Sequence, residues 1–132
     1  MRVEDMPTIE HGTKRRIDGL QLSEYLKSFP ADCIATEHVH SMPQQGVAST
    51  FSFGMSYGIA LAIGDVYATE KIDVRPQLWK KHFGLIKQPK DAARQLVLEK
   101  FPDDADRFKR KKDHGRADAT LIALWAYETR EL

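Results

Sequence analysis

Glu37, His114 and Asp118 are the side chains of this sequence best placed to do acid–base or metal chemistry together. Glu37 follows the short apolar run Cys33-Ile34-Ala35-Thr36, where a buried strand would end. Open α/β sheets bind ligands beyond the carboxyl ends of their strands. Asp118 comes one helical turn after His114, and residues at i and i+4 share a helix face. Two carboxylates and an imidazole drawn from distant parts of a chain could hold Mg²⁺, which takes oxygen ligands and keeps several waters. A cation held so can polarise a phosphate and activate water. Each residue also has a plainer use. An Asp at a helix start serves as a cap or dipole partner, and a Glu at a strand end can simply be solvated.

Two other clusters carry charge or metal-binding atoms. His38 and His40 are two apart, so they share a face if the strand continues through them. They could form half of a transition-metal site, but no second His or Cys pair has matching spacing. The run RFKRKK, Arg107 to Lys112, is the one dense basic stretch, with Arg116 just beyond. Lys109, Arg110, Lys111 and Lys112 are either solvated surface or contacts to a phosphate backbone, which would be sequence-independent and salt-sensitive. Lys80, Lys81, Lys14, Arg15 and Arg16 could extend that patch, while Trp79 reads as core rather than as a base-stacking platform.

The elements that must position these residues follow from periodicity. Val3 to Met6 reads as a short strand stopped by Pro7, and Thr8 to Arg16 as a polar, basic loop. Asp18 can cap a helix whose Leu22, Tyr25, Leu26 and Phe29 share one face, and Pro30 ends it. Cys33 to Val39 reads as a strand apolar on both faces, as buried parallel strands are. After a loop over Ser41 to Gln45, Val47 to Tyr67 forms a long helix with Met55, Ile59, Ala62, Ile63 and Val66 as its apolar stripe. Gly54 and Gly58 give it a second, smooth face on which another backbone could lie.

Ile72 and Val74 alternate with charged residues in a further strand closed by Pro76. A short helix around Trp79 stops at Gly84, and Pro89 can start another. Asp103 to Gly115 is a charged connector, and a last helix runs from about Arg116 to Thr129. Strands alternating with helices imply an α/β fold with a largely parallel sheet.

A chain of 132 residues, 42% hydrophobic and 30% charged, is the size of one soluble domain. Its net charge of +1 implies no partner by itself. A single cysteine, Cys33, excludes an internal disulfide framework and fits a reducing cytoplasm. The N-terminus has no apolar core of a signal peptide. Val47 to Tyr67 is apolar but diluted by Ser49, Ser52, Ser56 and Asp65, which suits a buried or dimer-forming helix better than a membrane span.

Taken together, EHVHSMPQQGVASTFSFGMSYG, then RPQLWKKHFGL, then KRKKDHGRADATLIAL resembles the RuvC-like Holliday junction resolvases, in particular their phage and prophage branch. The resemblance runs in order over most of the chain from about Asp5. It implies an RNase H-like fold, a homodimer, and cutting of four-way DNA junctions in recombination with Mg²⁺ or Mn²⁺. Glu37 falls on the family's strand-end catalytic glutamate and Asp118 on its final catalytic aspartate, with His114 as counterpart of the acid or histidine one turn earlier. The helix from Val47 to Tyr67 matches the family's dimer helix, giving Gly54 and Gly58 a purpose.

The departures are equally specific. Family members begin with a strand supplying a first metal-binding aspartate, and this sequence starts near what would be the third strand. The aromatic residue that some members place three positions after the glutamate is His40 here. Val3 to Met6 could fill the vacant strand position beside Cys33 to Val39, bringing Asp5 or Glu4 to Glu37 as a substitute ligand. Without one, the resemblance implies a catalytically inactive remnant that binds DNA or dimerises.

Overall fold

Asp18 starts the first helix as its side chain and the apolar spacing require: its carboxylate accepts the Gln21 N–H at 3.1 Å. This helix, α1, spans Gly19–Ser28 in the computed structural model, which describes residues 1–130. Before it lie β1 (Thr8–His11) and β2 (Lys14–Ile17), and after it β3 (Cys33–Glu37), α2 (Val47–Tyr67) and β4 (Glu70–Val74). Then come α3 (Pro76–His82), α4 (Ala92–Lys100) and α5 (His114–Thr129), with 3₁₀ turns at Pro102–Arg107 and Lys111–Asp113. The fold is mixed α/β, with small sheets and flanking helices. It divides into two compact units, Met6–Asp73 and Met1–Asp5 with the chain from Val74 onward.

In the first unit, β1 and β2 form an antiparallel hairpin with Thr8 opposite Ile17 and His11 opposite Lys14. This corrects the expectation of a loop over Thr8 to Arg16. Gly12 takes a φ of 62° at the first position of a two-residue turn, a conformation that closes hairpins and that glycine adopts without strain. Short, charged strands hide this signal, because only Ile9 and Ile17 are apolar. Pairing of a second kind joins β3 to β4. The Glu70 N–H donates to Asp32 O at 3.2 Å where both strands start, and His38 meets Asp73 at their other ends, so they run in the same direction. α2 is their crossover. It packs on α1, β2 and β3. Gly64 is buried there, and a Cβ on it would sit 3.8 Å from Ile34.

The expected strand at Val3 to Met6 does not form, and the neighbour of β3 is β4. Asp5 is tied instead to Arg116 of α5, through Nε at 2.7 Å and Nη2 at 3.0 Å. The substitution of this segment for a missing strand beside β3 is therefore overturned. α2 also departs from its expected stripe: Val66 is 72% exposed and Ala62 is exposed as well.

The second unit is built on Val74, Trp79, Val97, Phe108, Ala117, Leu121 and Ala126, all buried. α5 packs on α3 and α4. Trp79 is core, as its place in an apolar pattern implies, and Gly84 ends its helix region at a φ of 69°.

Candidate nucleic-acid interface and acidic groups

Glu37 is the last residue of β3 and half-buried, as a strand-end ligand residue would be. The chain just past it is fixed by a three-element contact. His38 Nδ1 lies 2.7 Å from Asp73 Oδ2, and the Tyr57 hydroxyl donates to the same oxygen at 2.8 Å. The His38 and Tyr57 rings meet edge to face, 6.3 Å apart at 89°. Burial, then the hydrogen bond to Asp73, push the Tyr57 phenol above its ordinary value. β3, α2 and β4 are thus pinned together beside Glu37. Sequence reasoning missed Tyr57 and Asp73, whose pairing is nonlocal. The sharing of a face by His38 and His40 also fails, because the strand stops at Glu37 and His40 lies exposed in the loop.

α5 begins at His114, two residues earlier than the sequence implied, so His114 and Asp118 do lie one turn apart on a single helix. His114 is exposed and Asp118 half-buried. Ahead of them, Asp113 is buried and accepts from the Arg110 backbone at 3.0 Å and its Nη2 at 2.8 Å. The Arg110 hydrogen bond holds that carboxyl below its usual range. Arg116 does the same to Asp5, and also donates to Arg107 O at 3.0 Å. Glu37 belongs to one compact unit, and Asp5, His114 and Asp118 to the other.

Many cations of the basic run are partnered internally. Arg110 pairs with Asp113, Lys109 with Asp106 at 3.6 Å, and Arg107 with Asp104 at 3.5 Å. Lys111 and Lys112 are exposed and form no salt bridge among the described residues, although Lys111 adds to the positive field that lowers the Asp91 carboxyl. Lys80 and Lys81 are exposed near the end of α3, with the Lys80 ammonium 5.6 Å from the Trp79 ring centroid. Arg94, by contrast, is a structural cation that sequence reasoning overlooked. It is buried, held by Asp91 at 2.8 Å and donating to Phe108 O and Lys109 O at 3.1 Å.

The outward face of α2 is apolar and uncovered. Val47, Phe51, Gly54, Gly58, Ala62 and Asp65 recur at three- and four-residue steps, and all are exposed. A Cβ on Gly54 or Gly58 would meet no atom within 4 Å, so nothing in the chain itself requires glycine there. With 21 residues, α2 is also long and apolar enough, by length and composition only, to cross a membrane.

The donor chemistry of Glu37, Asp118 and Asp5 suits Mg²⁺ one residue at a time, and the three are divided between the two compact units. No group of three His, Cys, Asp or Glu side chains among the described residues could hold a metal ion. The Asp5 carboxylate is moreover engaged on both oxygens by Arg116.

No protein-family model matches the chain. Over 79 residues, 59% of its length, it is 35% identical to the chloroplastic Holliday junction resolvase MOC1 of Chlamydomonas reinhardtii. The chain spans 8% of that protein's length. A partial, resolvase-like relationship is what this similarity establishes.

Proposed function

We propose that this chain binds branched DNA as a homodimer and is a relative of the RuvC-like resolvases with an RNase H-like fold. The observation that carries this is the 35% identity to a Holliday junction resolvase over 79 residues. The open glycine face of α2 supports the dimer. Gly in a helix interior costs roughly 0.5–1 kcal/mol relative to Ala, and a facing backbone would give that cost a return in close packing. Lys111, Lys112, Lys80 and Lys81, and separately His40, supply donors for phosphates; Lys109, Arg110 and Arg116 would join them by leaving Asp106, Asp113 and Asp5. The setting that suits the free thiol of Cys33 is a reducing one such as the cytoplasm.

A second reading, Mg²⁺- or Mn²⁺-dependent phosphodiester cleavage, is favoured by the register of His114 and Asp118 on α5. It requires Glu37 and Asp118 to share a cation, with His114 assisting. Incubating a labelled four-way junction with the protein, with and without Mg²⁺, separates the two. Retarded, intact junction supports binding alone. Paired symmetric nicks that vanish in Glu37→Gln and Asp118→Asn support cleavage. A junction neither retarded nor cut overturns both.

A further inference from the structure

Between the β1–β2 hairpin and the first half of α2 lies an open recess of about 310 Å³. Its walls are Lys14 and Arg15 from the hairpin, and Ser49, Ser52, Phe53 and Ser56 from α2. The cations are not neutralised. The Lys14 ammonium has no hydrogen-bond or ion-pair partner among the described residues. Arg15 donates to Thr8 Oγ1 at 2.9 Å and Thr8 O at 2.8 Å, both uncharged acceptors. Glu10 is in register opposite Arg15 but forms no ion pair with it.

The helix wall is equally suited to an anion. Ser49, Ser52 and Ser56 fall at three- and four-residue steps and so project along one side of α2. Ser56 accepts the Ile17 N–H at 3.1 Å, which leaves its own proton to donate. Ser49 and Ser52 have no hydrogen-bond partner among the described residues. Phe53 is 47% exposed at the same recess. This wall points away from the Gly54 and Gly58 face, so occupation of one leaves the other open.

We infer that this recess binds one unstacked nucleotide of a DNA strand. Lys14 and Arg15 hold its phosphate, the Ser49 and Ser52 hydroxyls donate to the phosphate oxygens, and the base stacks on the Phe53 ring. Cations beside an exposed aromatic ring are the arrangement by which proteins hold single strands without reading their sequence. The inference rests on the DNA-binding reading above and locates a contact separate from the Lys111–Lys112 pair.

Two measurements on the full chain test it. The first is binding of a labelled twelve-residue oligothymidylate and of a four-way junction, followed by fluorescence anisotropy over a salt series. Lys14→Ala is expected to weaken oligothymidylate binding several-fold and to lower the slope of log K against log salt by about 0.7, the value for one single-strand phosphate contact. Phe53→Ala is expected to weaken it about fivefold or more with the slope unchanged. Wild-type affinity in both variants, with loss only in Lys111→Ala/Lys112→Ala, would overturn the recess and leave the DNA-binding reading standing.

The second is NMR titration with thymidine monophosphate, inorganic phosphate and thymidine, which needs no DNA-binding activity. Shifts at Lys14, Ser49, Ser52 and Phe53 with the nucleotide, larger than with either fragment, support the site. An absence of shifts there at millimolar nucleotide overturns it, whatever the junction assay shows. The Lys14 side chain forms no hydrogen bond or ion pair among the described residues, so Lys14→Ala keeps the backbone pairing with His11 and the outcome interpretable.

Discussion

The Tyr57 hydroxyl donates to Asp73 Oδ2 at 2.8 Å, the same oxygen that His38 Nδ1 meets at 2.7 Å. One residue from a helix thereby fixes two strand ends, and with them the position of Glu37. Tyr57→Phe removes the donor without changing the ring. A net loss of about 1 kcal/mol is expected, the ordinary worth of such a hydrogen bond, measured by urea unfolding. Amide shifts of Glu37 and His38 are expected to move with it.

Gly54 and Gly58 predict opposite effects on the helix and on association. Replacing either by Ala is expected to raise the helix stability of the monomer by about 0.5–1 kcal/mol. Replacing either by Leu is expected to abolish self-association in sedimentation equilibrium, because the bulk falls on the close-packing face. Self-association of Gly54→Leu/Gly58→Leu equal to that of the parent would place the dimer contact elsewhere.

The unit around α5 should lose stability in acid. Hydrogen bonds from Arg94, then Gln95, lower the Asp91 carboxyl from its ordinary 3.8 to about 2. Arg110 and Arg116 lower Asp113 and Asp5 in the same unit. A carboxyl depressed by folding stabilises the native state above its unfolded value and releases that stability as pH falls through the folded one. Thermal unfolding midpoints are therefore expected to be flat above about pH 5 and to fall towards pH 2. Asp91→Asn should be less stable at neutral pH and show a shallower fall.

Gln44 occupies the third position of a turn in which the Gln45 N–H donates to Met42 O at 3.1 Å. Its φ is 71°, the left-handed region, where a side chain is strained and Gly is favoured. Gln44→Gly is expected to stabilise the chain by up to about 1 kcal/mol, the order of the strain relieved. A destabilisation in urea unfolding would show that the Gln44 side chain has a role that outweighs it.

What was legible in the sequence followed local chemistry. The Asp18 cap, the full span of α2 from Val47 to Tyr67, and the α3 stop at Gly84 rest on neighbours a few residues away. Most of the failures were decided at long range. Val3 to Met6 has the look of a strand, yet Asp5 is claimed by Arg116, 111 residues further on. The hairpin at Thr8 to Ile17 is too polar to announce itself by alternation. Which residues flank Glu37 depended on Tyr57 and Asp73, brought together by the β3–α2–β4 crossover. The basic run showed how many cations exist, but only the structure shows that Arg110 is spent on Asp113 while Lys111 and Lys112 are not.

Selective binding of branched DNA is what would separate a resolvase relative from a general DNA-binding protein. Its most direct test is an equilibrium competition: a labelled four-way junction bound by the protein at fixed salt, displaced by unlabelled junction or by a linear duplex of equal length. The duplex is expected to compete at least tenfold less well than the junction. Equal displacement by the two, or no complex to displace, would contradict it.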